Sequence, residues 1–327
     1  MPSSTSAILA RRISAVEQPA VRTQALRKEF GSVVAVEALD LTVVRGEIFG
    51  LVGPDAAGKT TTFRMLCGIL PPTSGAAFVL GFDLRRQPEA VKRRLGYMSQ
   101  RFSLYGDLTV LENLAFFSDI YHVPRRERAA RRQELLEFSR LVPFQKRLAQ
   151  DLSGGMKQKL ALACTLMHTP EILFLDEPTT GVDPVSRRDF WHILYQLSEQ
   201  GVTLVVSTPY MDEAERCTRV GLMHRGRLIH ADTPAALKQR MAGDLLEMTC
   251  KPAQGCKELL QDLPGVRSVQ TFGERLHVWL KNADRDQPVV ETALARAGIV
   301  TAHLRRIPPT LEDVFVSVIE AQREAQA

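Results

Sequence analysis

The sequence is poor in the features that build metal clusters, membrane spans or base-stacking platforms. Five cysteines occur in 327 residues, Cys67, Cys164, Cys217, Cys250 and Cys256, and none forms a CxxC pair. Their odd count and scattered spacing predict reduced thiols in a cytosolic compartment. The seven histidines show no ligand spacing either, so no structural metal is expected. Aromatic residues are only 6% of the chain, which argues against a stacking surface for nucleic acid. No apolar stretch approaches the ~18–20 residues that cross a bilayer. A membrane partner, if one exists, is then another chain. Residues 1–20 hold a single acidic residue, Glu17, among Ser, Thr, Ala, Arg11 and Arg12. That composition imitates a transit peptide, but the reading adopted is a disordered tail.

What is present supports a large domain and a small one. Hydrophobic residues make up 45% of the chain, enough for a substantial core. The formal charge is +5, concentrated in runs such as Lys92-Arg93-Arg94 and Arg125–Arg132. These are read as solvated helix faces, with attraction to an anionic membrane surface or an acidic partner loop as the alternative.

Ordered structure is expected from Val21. Residues 22–28 and 39–44 read as strands, Ile48–Val52 as an apolar strand and Thr60–Gly68 as a helix. Gly96–Ser99 suggests a strand ending at Gln100. Over 107–149 the apolar residues recur at helical spacing, predicting an inserted helical subdomain. Ile172–Leu175 and Val202–Val206 are uninterrupted apolar runs of the kind buried on both faces of a parallel sheet. After Met241 the pattern restarts. Strands at 245–250, 266–271, 276–280 and 299–306 and helices at 256–262, 288–297 and 311–320 give a βαββαβ order, a small ferredoxin-like unit with a trailing helix.

Gly53-Pro54-Asp55-Ala56-Ala57-Gly58-Lys59-Thr60 fits G-x-x-x-x-G-K-[ST], between a strand and a helix. Backbone N–H groups of such a loop cradle polyphosphate. Lys59 is expected to reach the β- and γ-phosphates, Thr60 to hold Mg²⁺ and Thr61 to add a phosphate contact. Asp176-Glu177 follow a buried strand. Asp176 is the expected Mg²⁺ ligand and Glu177 the general base that polarises water. Ser153-Gly154-Gly155 precede a helix starting near Met156, whose free N–H groups and dipole favour an anion. Taken singly, each piece has an ordinary explanation: a chance glycine loop, acids at a strand end, a serine-capped turn.

In this order the motifs resemble the ATP-binding subunits of ABC transporters, most closely the ATPases of type 2, multidrug-type exporters. The resemblance covers roughly residues 22–240. It implies a P-loop NTPase with a RecA-like mixed sheet core, an antiparallel β-layer and a helical subdomain at about 101–165. Domain boundaries follow: a tail at 1–20, the ATP-binding domain at 21–240, and an α+β accessory or regulatory domain at 241–327. The resemblance makes Gln100 the Q-loop glutamine, which ligates Mg²⁺, and Phe30 the adenine-stacking aromatic. It places Asp183 in a D-loop near a partner subunit. Ser153–Gly155 become the signature that meets the γ-phosphate of the opposite subunit's ATP.

Three departures from the family pattern stand out. Asp55 and Ala56 replace the usual asparagine and glycine. If position 56 needs a left-handed backbone, alanine costs roughly 1–2 kcal/mol. After Ser207-Thr208, Pro209 stands where the family has its switch histidine. Thr208 is read as a helix N-cap with Pro209 at the first helical position. Loss of the histidine predicts a handicapped site of its own, and favours an asymmetric pair with a second ABC ATPase over a homodimer. The ending Pro308–Phe315 is similar to that of antibiotic-resistance exporter ATPases. This implies a separate permease at the cytoplasmic face of the membrane, docking near Gln100–Asp107 and Phe116-Phe117. A soluble ABC ATPase acting on nucleic acid or ribosomes, and a nucleotide-binding regulator with negligible hydrolysis, are the alternatives carried; no nucleic-acid partner is expected.

Overall fold

The computed structural model describes residues 18–100, 104–241, 243–250, 253–299 and 302–324. The chain divides into two compact units, Met1–Ala231 and Asp232–Ala327.

The first unit holds two sheets. Strands β1 (Val21–Phe30), β2 (Val33–Leu39), β3 (Thr42–Val43), β5 (Ser74–Val79) and β6 (Phe82–Asp83) form an antiparallel layer in the order β2-β1-β5-β6, with β3 paired to β1. The second sheet runs β11-β10-β4-β9-β8-β7. It is built from β4 (Ile48–Val52), β7 (Leu95–Met98), β8 (Ile172–Asp176), β9 (Thr203–Thr208), β10 (Arg219–His224) and β11 (Arg227–Asp232). The β7–β8, β8–β9, β9–β4 and β4–β10 pairs are parallel. Every residue of β4, β8 and β9 is buried, so these central strands read as unbroken apolar runs. Parallel pairing also brings the carboxyl ends of β4, β7, β8 and β9 to one edge, where α/β sheets bind ligands. The segments following them carry the phosphate loop, Gln100, Glu177 and Pro209.

The helices of this unit are α1 (Lys59–Leu66), α2 (Pro88–Lys92), α3 (Val110–Ile120), α4 (Arg125–Phe138), α5 (Gly154–Thr165), α6 (Pro184–Glu199) and the short α7 (Met211–Ala214). Helix α3 starts at a capping box: the Thr109 hydroxyl accepts from Glu112 N–H, and Glu112 accepts from Thr109 N–H. The helical expectation for 107–149 therefore resolves into α3, α4 and short 3-10 turns. None of the described helices is long and apolar enough to cross a membrane.

The second unit contains α8 (Pro234–Gln239), β12 (Asp244–Thr249), α9 (Ala253–Gln261), β13 (Val266–Phe272), β14 (Arg275–Leu280), α10 (Ala283–Arg296), β15 (Ala302–Ile307) and α11 (Leu311–Glu324). Its sheet is antiparallel in the order β13-β14-β12-β15, the ferredoxin-like arrangement of a βαββαβ chain. Leu246, Met248, Leu260, Val278, Val290 and Leu294 form its core. Helix α10 starts five residues before Pro288, because the Asn282 side chain caps it by accepting from Arg285 N–H. The expectation of reduced thiols fails at one pair. Cys250, just after β12, and Cys256, in α9, meet within this core as a disulfide, with Cα atoms 6.4 Å apart. Cys67, Cys164 and Cys217 are free and buried.

Candidate nucleotide site

An open cleft of about 530 Å³ lies at the carboxyl edge of the parallel sheet. Phe30, Val33–Ala35, Asp55–Thr61, Gln100 and Glu177 line it. The loop is shaped by close backbone approaches. A Cβ at Gly53 would sit 2.1 Å from Met223 O, and one at Gly58 (φ +104°) would sit 2.5 Å from Ala35 O. Ala56 occupies the left-handed region at φ +61°, so the condition attached to its strain is met.

Lys59 is buried and fully engaged. Its Nζ donates to Gly53 O at 2.8 Å and Pro54 O at 3.0 Å and pairs with Glu177 Oε1 at 3.2 Å. Glu177 Oε2 accepts from Gln100 Nε2 at 2.9 Å and from the Thr180 hydroxyl at 3.4 Å. Glu177 itself holds a left-handed backbone, φ +48°.

Asp176 is completely buried and is held by hydroxyls. Ser207 donates to Oδ1 at 2.6 Å, Thr60 to Oδ1 at 3.1 Å and Tyr97 to Oδ2 at 3.4 Å. Among the described residues no basic side chain forms an ion pair with it. Its field is felt nearby: burial, reinforced by this carboxylate, pushes the Cys67 thiol and the Tyr97 phenol well above their ordinary ranges. A buried carboxylate beside a threonine hydroxyl, lacking a counter-cation, suits a small hard cation such as Mg²⁺. The phosphate loop above it suits the triphosphate that would share that ion.

The other expected residues fall elsewhere. Phe30 lies at the cleft mouth, 50% exposed, with Lys28 Nζ 5.1 Å from its ring centroid. Ser153, Gly154 and Gly155 are absent from the cleft lining. Ser153 caps α5, accepting from Met156 N–H at 3.3 Å, and both Ser153 and Gly154 are exposed. Gly155 is buried, and a Cβ there would strike Ser186 Cβ at 2.4 Å. Gly155 therefore allows α5 and α6 to pack closely. Asp183 caps α6; the N–H groups of Ser186 and Val185 hold its carboxyl below the ordinary range.

The expectation for Thr208 and Pro209 is corrected. Thr208 ends β9, and α7 starts three residues later, at Met211, with Tyr210 at its N-cap. The Thr208 hydroxyl instead accepts from Tyr210 N–H at 3.0 Å and donates to buried Glu213 at 2.7 Å. Glu213 also accepts from the Thr179 hydroxyl and lies 3.5 Å from Arg187 Nε. The turn after Glu177 and the segment around Pro209 are thus tied through one carboxylate. Sequence reasoning missed Val33–Ala35, Tyr97, Ser207 and Glu213. Only the position of Ser207 and Thr208 at the end of an apolar run offered a signal.

The model of the family described as ABC transporter matches residues 36–180, and that of the ATP-binding protein DrrA1-3-like C-terminal domain matches 233–319. Over 224 residues the chain is 50% identical to a probable multidrug ABC transporter ATP-binding protein, YbhF, of Escherichia coli K12; the match covers 68% of this chain but only 39% of that protein. It is 34% identical to the daunorubicin resistance ATP-binding protein DrrA3 of Streptomyces coeruleorubidus, covering 94% of this chain and 98% of the relative. It is 33% identical to the linearmycin resistance ATP-binding protein LnrL of Bacillus subtilis, covering 91% and 97%. Among solved structures, a dimeric ATP-binding cassette in a post-hydrolysis state with ADP and Pi matches with TM-score 0.60 and 25% identity, covering 65% of this chain and 98% of that one.

Proposed function

Because this chain belongs to the ATP-binding proteins of ABC transporters, an ATPase family whose members similar to it include drug-resistance proteins, we propose that it energises a separate export permease. ATP occupies the cleft, with Lys59, Thr61 and the loop N–H groups on its phosphates and Phe30 against its base. Thr60, Asp176 and Gln100 surround Mg²⁺, and Glu177 polarises the attacking water. A second cassette closes over the cleft with its own serine-glycine turn, while Ser153–Gly155 serve the partner's nucleotide. The observation carrying this reading is the division of the motifs. Phosphate loop, Gln100 and Glu177 share one cleft, and the exposed Ser153-Gly154 turn lies outside it.

Pro209 offers no side-chain polar atom and no N–H to a γ-phosphate. Loss of a positioned group of that kind costs ~10²–10⁴ in rate. The chain's own site is therefore slow, and the preferred assembly pairs it with a second ABC ATPase whose site it completes. The pair docks on a membrane chain at the cytoplasmic face, through the region of Phe116-Phe117. Turnover by the purified chain is the test. Slow hydrolysis accelerated by Pro209→His supports the reading, and fast hydrolysis indifferent to that change overturns it.

A further inference from the structure

Two carboxylates at the end of β8 must be held in different ways, Asp176 by its side chain and Glu177 by its backbone. The parallel register sets Asp176 opposite Ser207 on β9. Ser207 is completely buried. Its hydroxyl proton is directed at Asp176 Oδ1, at 2.6 Å, and its oxygen lone pairs accept the Glu177 N–H at 3.0 Å. The Ser207 carbonyl accepts that same N–H at 3.1 Å. Thus Ser207 clamps the residue whose φ is +48°, a left-handed conformation that non-glycine residues disfavour.

The other hydroxyls around Asp176 cannot substitute. Thr60 is itself expected to turn to the cation, which would remove it from Asp176. Tyr97 lies at 3.4 Å, a long contact for two oxygens. Ser207 is then the short contact that persists once a cation arrives.

We propose that Ser207 is a positioning residue of the nucleotide site, one hydroxyl fixing both the cation-facing rotamer of Asp176 and the backbone of Glu177. This rests on the ATP-site reading above. Outer-sphere partners of this kind typically govern metal affinity by 10–100-fold.

The test uses the full chain and a fluorescent ATP analogue, titrated first without divalent cation and then with MgCl₂ at fixed nucleotide. For Ser207→Ala we expect the Mg²⁺ concentration at half-effect to rise about tenfold or more. Metal-free nucleotide affinity stays within about twofold, since the phosphate loop is untouched. Ser207→Thr, which keeps the hydroxyl, returns the Mg²⁺ response most of the way. If Ser207→Ala does not fold, Ser207→Cys, with a far weaker donor, carries the same comparison. A Mg²⁺ response like that of the unaltered chain overturns the proposal. So does an equal loss of metal-free and Mg²⁺-dependent binding in a folded variant, which marks Ser207 as merely structural. Failure of the unaltered chain to bind nucleotide is a separate result, and removes the ATP-site reading itself.

Discussion

Two pairs among the buried carboxylates, Glu247 with Asp313 and Asp176 with Glu177, are treated in opposite ways. In the second unit, Glu247 on β12 takes Arg275 Nη1 at 3.0 Å and Arg305 Nη2 at 2.7 Å. Asp313 on α11 takes His277 Nδ1 at 2.6 Å, together with the Thr310 N–H and hydroxyl. His277 Nε2 also lies 3.7 Å from Glu247, so cations and acids alternate across the sheet. In the first unit, Asp176 has hydroxyls only, and Glu177 has one lysine borrowed from the phosphate loop. Leaving the other partner of a buried charge missing is expensive. The contrast between Glu247, ion-paired within the fold, and Asp176, held by hydroxyls among the described residues, supports the proposal that a cation binds at Asp176. The first reads as architecture, fastening α11 to its sheet.

The largest effect expected from breaking this contrast is chemical. Glu177→Gln should lower hydrolysis at this site by ~10²–10⁴, while Glu247→Gln leaves it unchanged. Phosphate release by the purified chain, in which only its own sites can turn over, measures both. Next comes Pro209→His, which should raise turnover of the purified chain by about tenfold or more. A smaller gain is expected from Ala56→Gly. Relief of the left-handed alanine should stabilise the folded first unit by roughly 1 kcal/mol, read as a rise in its denaturant midpoint.

The smallest effect separates the two pairs by pH. Burial works against a charged His277, but the Asp313 hydrogen bond and the charges of Asp313 and Glu247 outweigh it and raise its pKa above 6.5. Arg275, on the same strand as His277, and Arg305, on β15, act in the opposite sense. A raised folded-state pKa means that the contribution is complete below about pH 6.5, the unfolded value, and is lost as pH rises through the folded one. The melting transition of the second unit should therefore fall as pH rises above about 6.5, and His277→Gln should flatten that slope.

The comparison also shows which features could be seen in the sequence. The phosphate loop was legible because glycine spacing and a following lysine encode a backbone shape locally. The central strands were legible because burial on both faces leaves unbroken apolar runs. Ser207 was not, since a serine at the end of such a run has no assigned partner until the register sets it opposite Asp176. Val33–Ala35 were not, because apolar strand residues carry no mark of the cleft they border. Cys250 and Cys256 escaped because six residues of separation match no familiar pairing motif, and only the folded core of the second unit joins them. Thr208-Pro209 misled for a local reason. Threonine before proline is a fair helix-start signal, but Glu213 recruits the hydroxyl, and the helix waits until Met211.

The contact between Lys59 and Glu177 links two of the proposed roles. While they hold each other, the glutamate that would activate water is occupied and the ammonium that would draw in phosphate is already neutralised. Under the proposed function, a triphosphate that took the lysine would free the glutamate in the same motion, so that loading and arming would be a single exchange.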